Sequence, residues 1–137
     1  MIMKIAEKMI RDVMTRGVAT VAPDTPIKEI AEMMANQCLS GVAVVGVQGD
    51  ALGFISELDI VKVLHKPNLK QLTAEDVMSS LLLAIAPDAT LGRAAKIMGE
   101  EHIHRLLILS EKGVGASQRP VGILSTSDIV QEVAKAR

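Results

Sequence analysis

A glycine, a serine and an aspartate recur at one spacing in this chain, as Gly53-x-x-Ser56-x-x-Asp59 and as Gly122-x-x-Ser125-x-x-Asp128. A serine hydroxyl at a helix start, beside the free N–H groups of the first turn, favours a phosphate or another polar oxygen. An ionised carboxylate one turn further on can accept hydrogen bonds from both hydroxyls of a ribose cis-diol. The pattern suits a nucleotide. The same residues also have the form of a capping box, in which serine and aspartate satisfy each other's backbone N–H groups, and an isolated match would be read that way. The glycine is the additional feature, because in a strand it lets another group approach the backbone closely. His102 and His104, two apart on an expected strand, would share a face at a spacing compatible with metal ligation. No third ligand is near them in sequence, Cys38 lies at the equivalent helix end of the other copy, and no metal site is expected. No nucleophile with a base and an orienting group can be assembled, and no Gly-rich phosphate loop followed by Lys-Ser/Thr is present, so no catalytic residue is expected.

Both strings belong to a larger internal repeat. Asp12-Val13-Met14 returns as Asp76-Val77-Met78 and Ala22-Pro23-Asp24 as Ala86-Pro87-Asp88, an offset of 64. From Gly53 onward the offset is 69, which places five extra residues in the Gly113 to Pro120 loop of the second copy. Each copy reads as an extended stretch (Val18 to Ala22; Leu82 to Ala86), then a helix entered at Asp24-Thr25-Pro26 or Asp88-Ala89-Thr90. Ile27, Ile30, Ala31 and Met34 recur at helical spacing, as do Leu91, Ala94, Ala95 and Met98. A strand pair follows, Gly41 to Val45 with Leu52 to Ser56, and Arg105 to Leu109 with Val121 to Ser125. A last helix closes each copy, from Glu57 to about Leu64 and from Thr126 to Ala136. The fold class is therefore α+β, with the order β-α-β-β-α twice. The expected division is an N-terminal helical segment over 1–9, repeats over 10–66 and 73–137, and a linker over 67–72. A copy of roughly 60 residues is marginal alone, so the two should share a core. The N-terminal helix, over Ile5 to Ile10, could cap that core or make a dimer contact.

The 137 residues are 49% hydrophobic and 23% charged, the profile of a globular protein and not of a disordered one. Fifteen Lys and Arg against sixteen Asp and Glu leave a net charge of −1, too little positive field to gather nucleic acid. One Phe and no Trp or Tyr remove the platforms on which unpaired bases stack. A planar ligand would have to sit on aliphatic walls. Cys38, alone, forms no internal disulfide, and nothing at the N-terminus resembles a secretory leader. The longest apolar run, Leu81 to Ala86, is far shorter than the roughly 20 residues that span a bilayer. A cytoplasmic protein with no membrane partner is expected.

From about Ile10 to Ala134 the chain resembles the tandem CBS-domain pair, or Bateman module, in its repeat, its Val-Met openings, its Pro-Asp helix entries and both Gly-x-x-Ser-x-x-Asp strings. The resemblance implies two copies packed with pseudo-two-fold symmetry and two clefts that take adenosine nucleotides or S-adenosylmethionine, with homodimerisation common. It implies that one cleft uses Ser56 and Asp59 with Leu82, Leu83, His104 and Arg105. The other would use Ser125 and Asp128 with Thr15, Val18, Ala19, Ser40 and Gly41. Asp59 would hold a ribose diol. His104-Arg105 is similar to the His-Arg pair that grips phosphate in the gamma subunit of AMP-activated kinase, which favours AMP, ADP or ATP. Ser40-Gly41 stands where the other cleft has His-Arg, so that site would prefer an uncharged tail, bind a nucleoside weakly, or stay empty. Adenine would lie against Val18, Ala19, Ile55, Leu82, Leu83 and Leu124, residues that core strand positions would equally explain. The resulting expectation is a non-enzymatic sensing module that signals to an effector protein in trans. The competing expectations are a structural interaction module without a nucleotide and an S-adenosylmethionine sensor.

Overall fold

A computed structural model describes residues 2–79, 84–110 and 119–136. Leu82, Leu83 and most of the expected five-residue insertion lie outside the described residues. In chain order the elements are α1 (Ile2–Glu7), a 3-10 turn (Ile10–Asp12), β1 (Thr15–Arg16), β2 (Thr20–Val21), α2 (Ile27–Asn36), β3 (Gly41–Val45), β4 (Ala51–Ser56) and α3 (Glu57–Lys62). A second 3-10 turn (Leu69–Gln71) leads to α4 (Ala74–Val77), β5 (Ala84–Ile85), α5 (Leu91–Glu101), β6 (Arg105–Leu109), β7 (Pro120–Ser125) and α6 (Thr126–Lys135). The chain is α+β, with the β-α-β-β-α order present twice. It divides into two compact units, Val18–Leu82 and Met1–Gly17 with Leu83–Arg137.

In the first unit β2 runs parallel to β3, and β3 antiparallel to β4. The apolar stripe of α2 buries Ile27, Ile30 and Met34 against Val42 and Val44 of β3 and Ile55 of β4. Burying each aliphatic side chain contributes about 1.5–3 kcal/mol. The stretch after α3 is part of this packing. Leu72 is buried in the same core, and its carbonyl accepts from the Ile27 N–H at 3.0 Å.

In the second unit the sheet order is β1-β7-β6-β5. Leu91, Ala94 and Met98 of α5 pack on Ile85, Leu106, Ile108 and Leu124. The N-terminal helix joins this core through Ile5, with Ile10 and Met14 following it. Its backbone is tied in as well, since Leu91 N–H donates to the Lys8 carbonyl at 2.9 Å and Ile10 N–H to that of Ala89 at 2.9 Å. Of the two roles open from sequence, α1 takes that of a helix on a core of its own chain.

The expected strand over Val18 to Ala22 is reduced to β2. Gly17 has φ +79, a backbone state that glycine adopts without strain, and it separates β1 from β2. The chain thereby leaves one sheet and enters the other. The opening motif of each copy consequently packs with the opposite copy: Val13 and Met14 in the second core, Val77 and Met78 in the first.

This exchange accounts for the repeated glycine. Thr15 and Arg16 lie opposite Ile123 and Gly122, and a Cβ at Gly122 would fall 2.5 Å from the Thr15 carbonyl oxygen. Ser79 bridges Phe54, and a Cβ at Gly53 would fall 2.8 Å from the Ser79 carbonyl oxygen and 2.6 Å from Met78 Sδ. The group that comes close to each glycine is the protein's own backbone. The glycine therefore adds nothing to the case for a ligand, which rests on the serine and aspartate alone.

One ion pair fastens α1 to α6. Lys8 Nζ donates to Glu132 Oε1 at 2.7 Å, and this bond holds the Glu132 carboxyl below its ordinary pKa. A depressed carboxyl contributes stability above its unfolded pKa and loses it as pH falls through the folded value. Glu132→Gln is therefore expected to be slightly less stable than the parent in urea at pH 7. The difference should vanish on acidification through the carboxylate range and shrink in high salt. A difference independent of pH would assign the contact no electrostatic role.

Candidate functional site

Within the Val18–Leu82 unit, the start of β3, the end of β4 and the start of α3 converge. Gly41 lies opposite Ser56, and Glu57 N–H donates to the Ser40 carbonyl at 3.3 Å. Ser56 caps α3: its Oγ accepts from Asp59 N–H at 3.3 Å, while Asp59 Oδ2 accepts from Ser56 N–H at 2.8 Å and from Ser56 Oγ at 3.0 Å. Val18 and Ala19 run beside β3, where the Ala19 carbonyl accepts from Ala43 N–H at 2.9 Å, and both are half-buried.

The second unit repeats this arrangement. Arg105 lies opposite Ser125, and Thr126 N–H donates to the His104 carbonyl at 2.9 Å. Asp128 Oδ2 accepts from Ser125 N–H at 2.9 Å, and Ser125 Oγ from Asp128 N–H at 3.1 Å. Thr15, exposed on β1, lies opposite Ile123, two residues before Ser125. His104 is exposed and Arg105 half-buried.

Each unit thus carries one such cluster. Ser56 and Asp59 are neighbours of Ser40 and Gly41, and Ser125 and Asp128 are neighbours of His104 and Arg105. The groupings expected from sequence draw on both units, taking Ser56 and Asp59 with His104 and Arg105, and Ser125 and Asp128 with Val18, Ala19, Ser40 and Gly41, while Thr15 lies in the unit of Ser125 itself. Leu82 and Leu83, named in one of them, fall outside the described residues.

Two expectations are corrected. Ile55 and Leu124 are 0% exposed and belong to the two cores, so neither presents a wall to adenine. His102 is not on a strand beside His104. It takes a left-handed conformation, φ 55, at the end of α5, as Cys38 does after α2, and β6 begins only at Arg105. Both residues close helices at positions usually given to glycine or asparagine. Among the described residues, no group of three or more His, Cys, Asp and Glu side chains is placed to hold a metal ion.

The capping and ligand readings of Ser-x-x-Asp are compatible. Each cap uses Oδ2 of the aspartate, and among the described residues no hydrogen bond is made to Oδ1 of Asp59 or Asp128. Both aspartates are half-buried at a strand–helix junction. The cap holds the carboxylate still and leaves one oxygen to accept from a ligand hydroxyl. Sequence reasoning missed a third box, Thr73 with Asp76 on α4, where Asp76 Oδ2 accepts from Thr73 N–H at 2.9 Å. It also missed Phe54, whose ring covers Gly41. Phe54 could have been noticed as the only aromatic residue in the chain.

A family model for the CBS domain matches residues 10–66 and again 74–135. The chain belongs to the CBS-domain family. This CBS pair is 30% identical over 121 residues to the CBS domain-containing protein YhcV of Bacillus subtilis, covering 88% of this chain and 81% of that one. It is 30% identical over 122 residues to the uncharacterized protein MK0525 of Methanopyrus kandleri, with 88% of this chain and 60% of that protein covered. Over 120 residues it is 32% identical to a homoserine O-acetyltransferase of Methanococcoides burtonii, where the match is 88% of the CBS pair and only 23% of the relative. Among solved structures, the CBS domain pair of protein MJ0100 in complex with 5'-methylthioadenosine and S-adenosylmethionine aligns with TM-score 0.80 and 23% identity, covering 93% of this chain and 97% of that one. CBSX2 in complex with AMP aligns with TM-score 0.77 and 21% identity, covering 93% and 96%. At those identities the likeness is one of fold.

Proposed function

We propose that this CBS pair is a non-catalytic regulatory module that senses an adenosine nucleotide, AMP, ADP or ATP, and passes its occupancy to an effector protein in trans. The observation that carries this reading is the half-buried Ser-Asp pair at the strand–helix junction of both copies, each with one carboxylate oxygen that accepts no hydrogen bond among the described residues. AMP, 5'-methylthioadenosine and S-adenosylmethionine, the ligands of the two related structures, share an adenosine, and its ribose diol is what such a carboxylate would accept from. In this reading Ser56 and Asp59 act with Leu82, Leu83, His104 and Arg105. Ser125 and Asp128 act with Thr15, Val18, Ala19, Ser40 and Gly41. The guanidinium of Arg105 favours a phosphorylated tail over the uncharged or cationic tails of the other two ligands. Residues 10–66 and 73–137 are the functional repeats, 1–9 an accessory segment and 67–72 the connection. The module works as a homodimer in the cytoplasm. Among the described residues no helix is long and apolar enough to cross a membrane. Ligand binding can shift the module only by its differential affinity for two arrangements, typically about 1–3 kcal/mol.

The test begins with an ultraviolet spectrum of the purified protein, which without Trp or Tyr hardly absorbs near 280 nm. A 260 nm band, traced by mass spectrometry to a released adenosine nucleotide, is the expected result. If the band is absent, saturating AMP or ATP should still raise the melting temperature, since about 100 Kd of ligand adds about 2.7 kcal/mol. Failure of both leaves the structural interaction module, in which the Ser-Asp pairs are capping boxes only.

A further inference from the structure

The two clusters differ at the first residue of β3 and β6. Gly41 and Arg105 are equivalent in the repeat, and each lies opposite the serine that starts the last helix of its copy. Gly41 is buried, and a Cβ built on it would overlap the tip of the Phe54 ring, 2.7 Å from Cε2, and lie 3.0 Å from the Ile55 carbonyl oxygen. Phe54 lies opposite Ala43, so by strand alternation it shares a sheet face with Gly41 and Ser56. Its counterpart in the second copy is Ile123, opposite Leu107 on the face of Arg105 and Ser125. The first copy thus combines a large ring with no side chain, and the second a smaller aliphatic with a cation.

We propose that Phe54 is a specificity-determining residue: by filling the space over Gly41 it keeps the first copy without a cation, so that the chain takes one phosphorylated nucleotide, at Arg105. The sheet end at Gly41 then accepts only an unphosphorylated nucleoside. This rests on the sensor reading above and adds to it the stoichiometry and charge of the ligand.

The experiment is calorimetric titration of the full chain with AMP and with adenosine, alongside melting temperatures, for the parent, Gly41→Arg, Phe54→Ile and the two changes together. The parent is expected to bind one AMP per chain and the paired variant two. Gly41→Arg alone should melt several degrees lower, with Phe54→Ile restoring most of the loss. Two AMP per parent chain overturns the inference. So does a paired variant that melts normally and binds one, or a Gly41→Arg protein as stable as the parent. Absence of any AMP binding to the parent overturns the sensor reading together with this one, whereas the outcomes just given overturn this one alone.

Discussion

Asp59→Ala combined with Asp128→Ala is expected to abolish measurable binding of AMP. A hydrogen bond to a charged group is worth about 1.5–3 kcal/mol, and a diol makes two to its carboxylate, so the loss should be roughly 100-fold or more in AMP affinity. Removing the aspartates also removes half of two capping boxes, which costs about 0.5–2 kcal/mol for each helix and lowers the melting temperature whether or not a ligand exists. The two effects must therefore be separated. Asp76→Ala supplies the control, because Asp76 makes the same box on α4 and belongs to neither expected ligand grouping. It should lose comparable stability and keep AMP binding unchanged. Asp59→Asn with Asp128→Asn keeps an acceptor while removing the charge, and binding should fall to an intermediate level. Isothermal titration on the four proteins decides the matter. If AMP binds the double alanine variant as it binds the Asp76 variant, the carboxylates are caps only and the structural module is the better account.

Gly122→Val is expected to be the most damaging single change to the fold. The first added carbon would sit 2.5 Å from the Thr15 carbonyl oxygen, which is backbone and held in the β1–β7 pairing. Overpacking costs typically about 1–3 kcal/mol, and here the clash also has to break the strand pair, so roughly 3 kcal/mol is expected. Chemical denaturation should show the midpoint falling by that amount. Amide exchange should show β1 losing protection before the interior of β6. A stable variant with β1 still protected would mean that this sheet has more room than the backbone geometry indicates. Gly53→Val should behave similarly in the first unit, through Ser79 and Met78.

The N-terminal segment is joined both to β7, which leads into Ser125, and to α6, which Ser125 caps. Thr15 on β1 is two strand positions from the level of Ser125, and Lys8 pairs with Glu132, about two turns along the helix that Ser125 caps. Damage at Gly122 should accordingly weaken AMP binding as well as stability, by disturbing β7 where it enters α6.

Much of the fold was legible because it is local. The i, i+3 and i+7 apolar residues of α2 and α5 are buried, whereas at i+4 Ala31 is only half-buried and Ala95 is exposed, and β3 and β6 begin and end where the β-rich runs do. The Ser and Asp of both strings were found from spacing alone, and so was the cap they form, because a capping box spans only one turn of helix. His102 was misplaced because a left-handed residue after a helix has no periodicity to betray it. Ile55 and Leu124 were misread because a strand residue's type does not say which face of the sheet is covered.

By itself the amino-acid sequence determined the two copies, their helices and strands, and the pairing of each serine with its aspartate, all of which depend on neighbours a few residues apart. Only the tertiary structure decided that Gly17 passes the chain from one sheet to the other, that each Asp-Val-Met opening packs with the opposite copy, and that Gly53 and Gly122 make room for Ser79 and Thr15. It likewise placed the Phe54 ring over Gly41. These are contacts between residues distant in sequence or on different strands, and they follow from which surfaces are left to bury once the local elements exist.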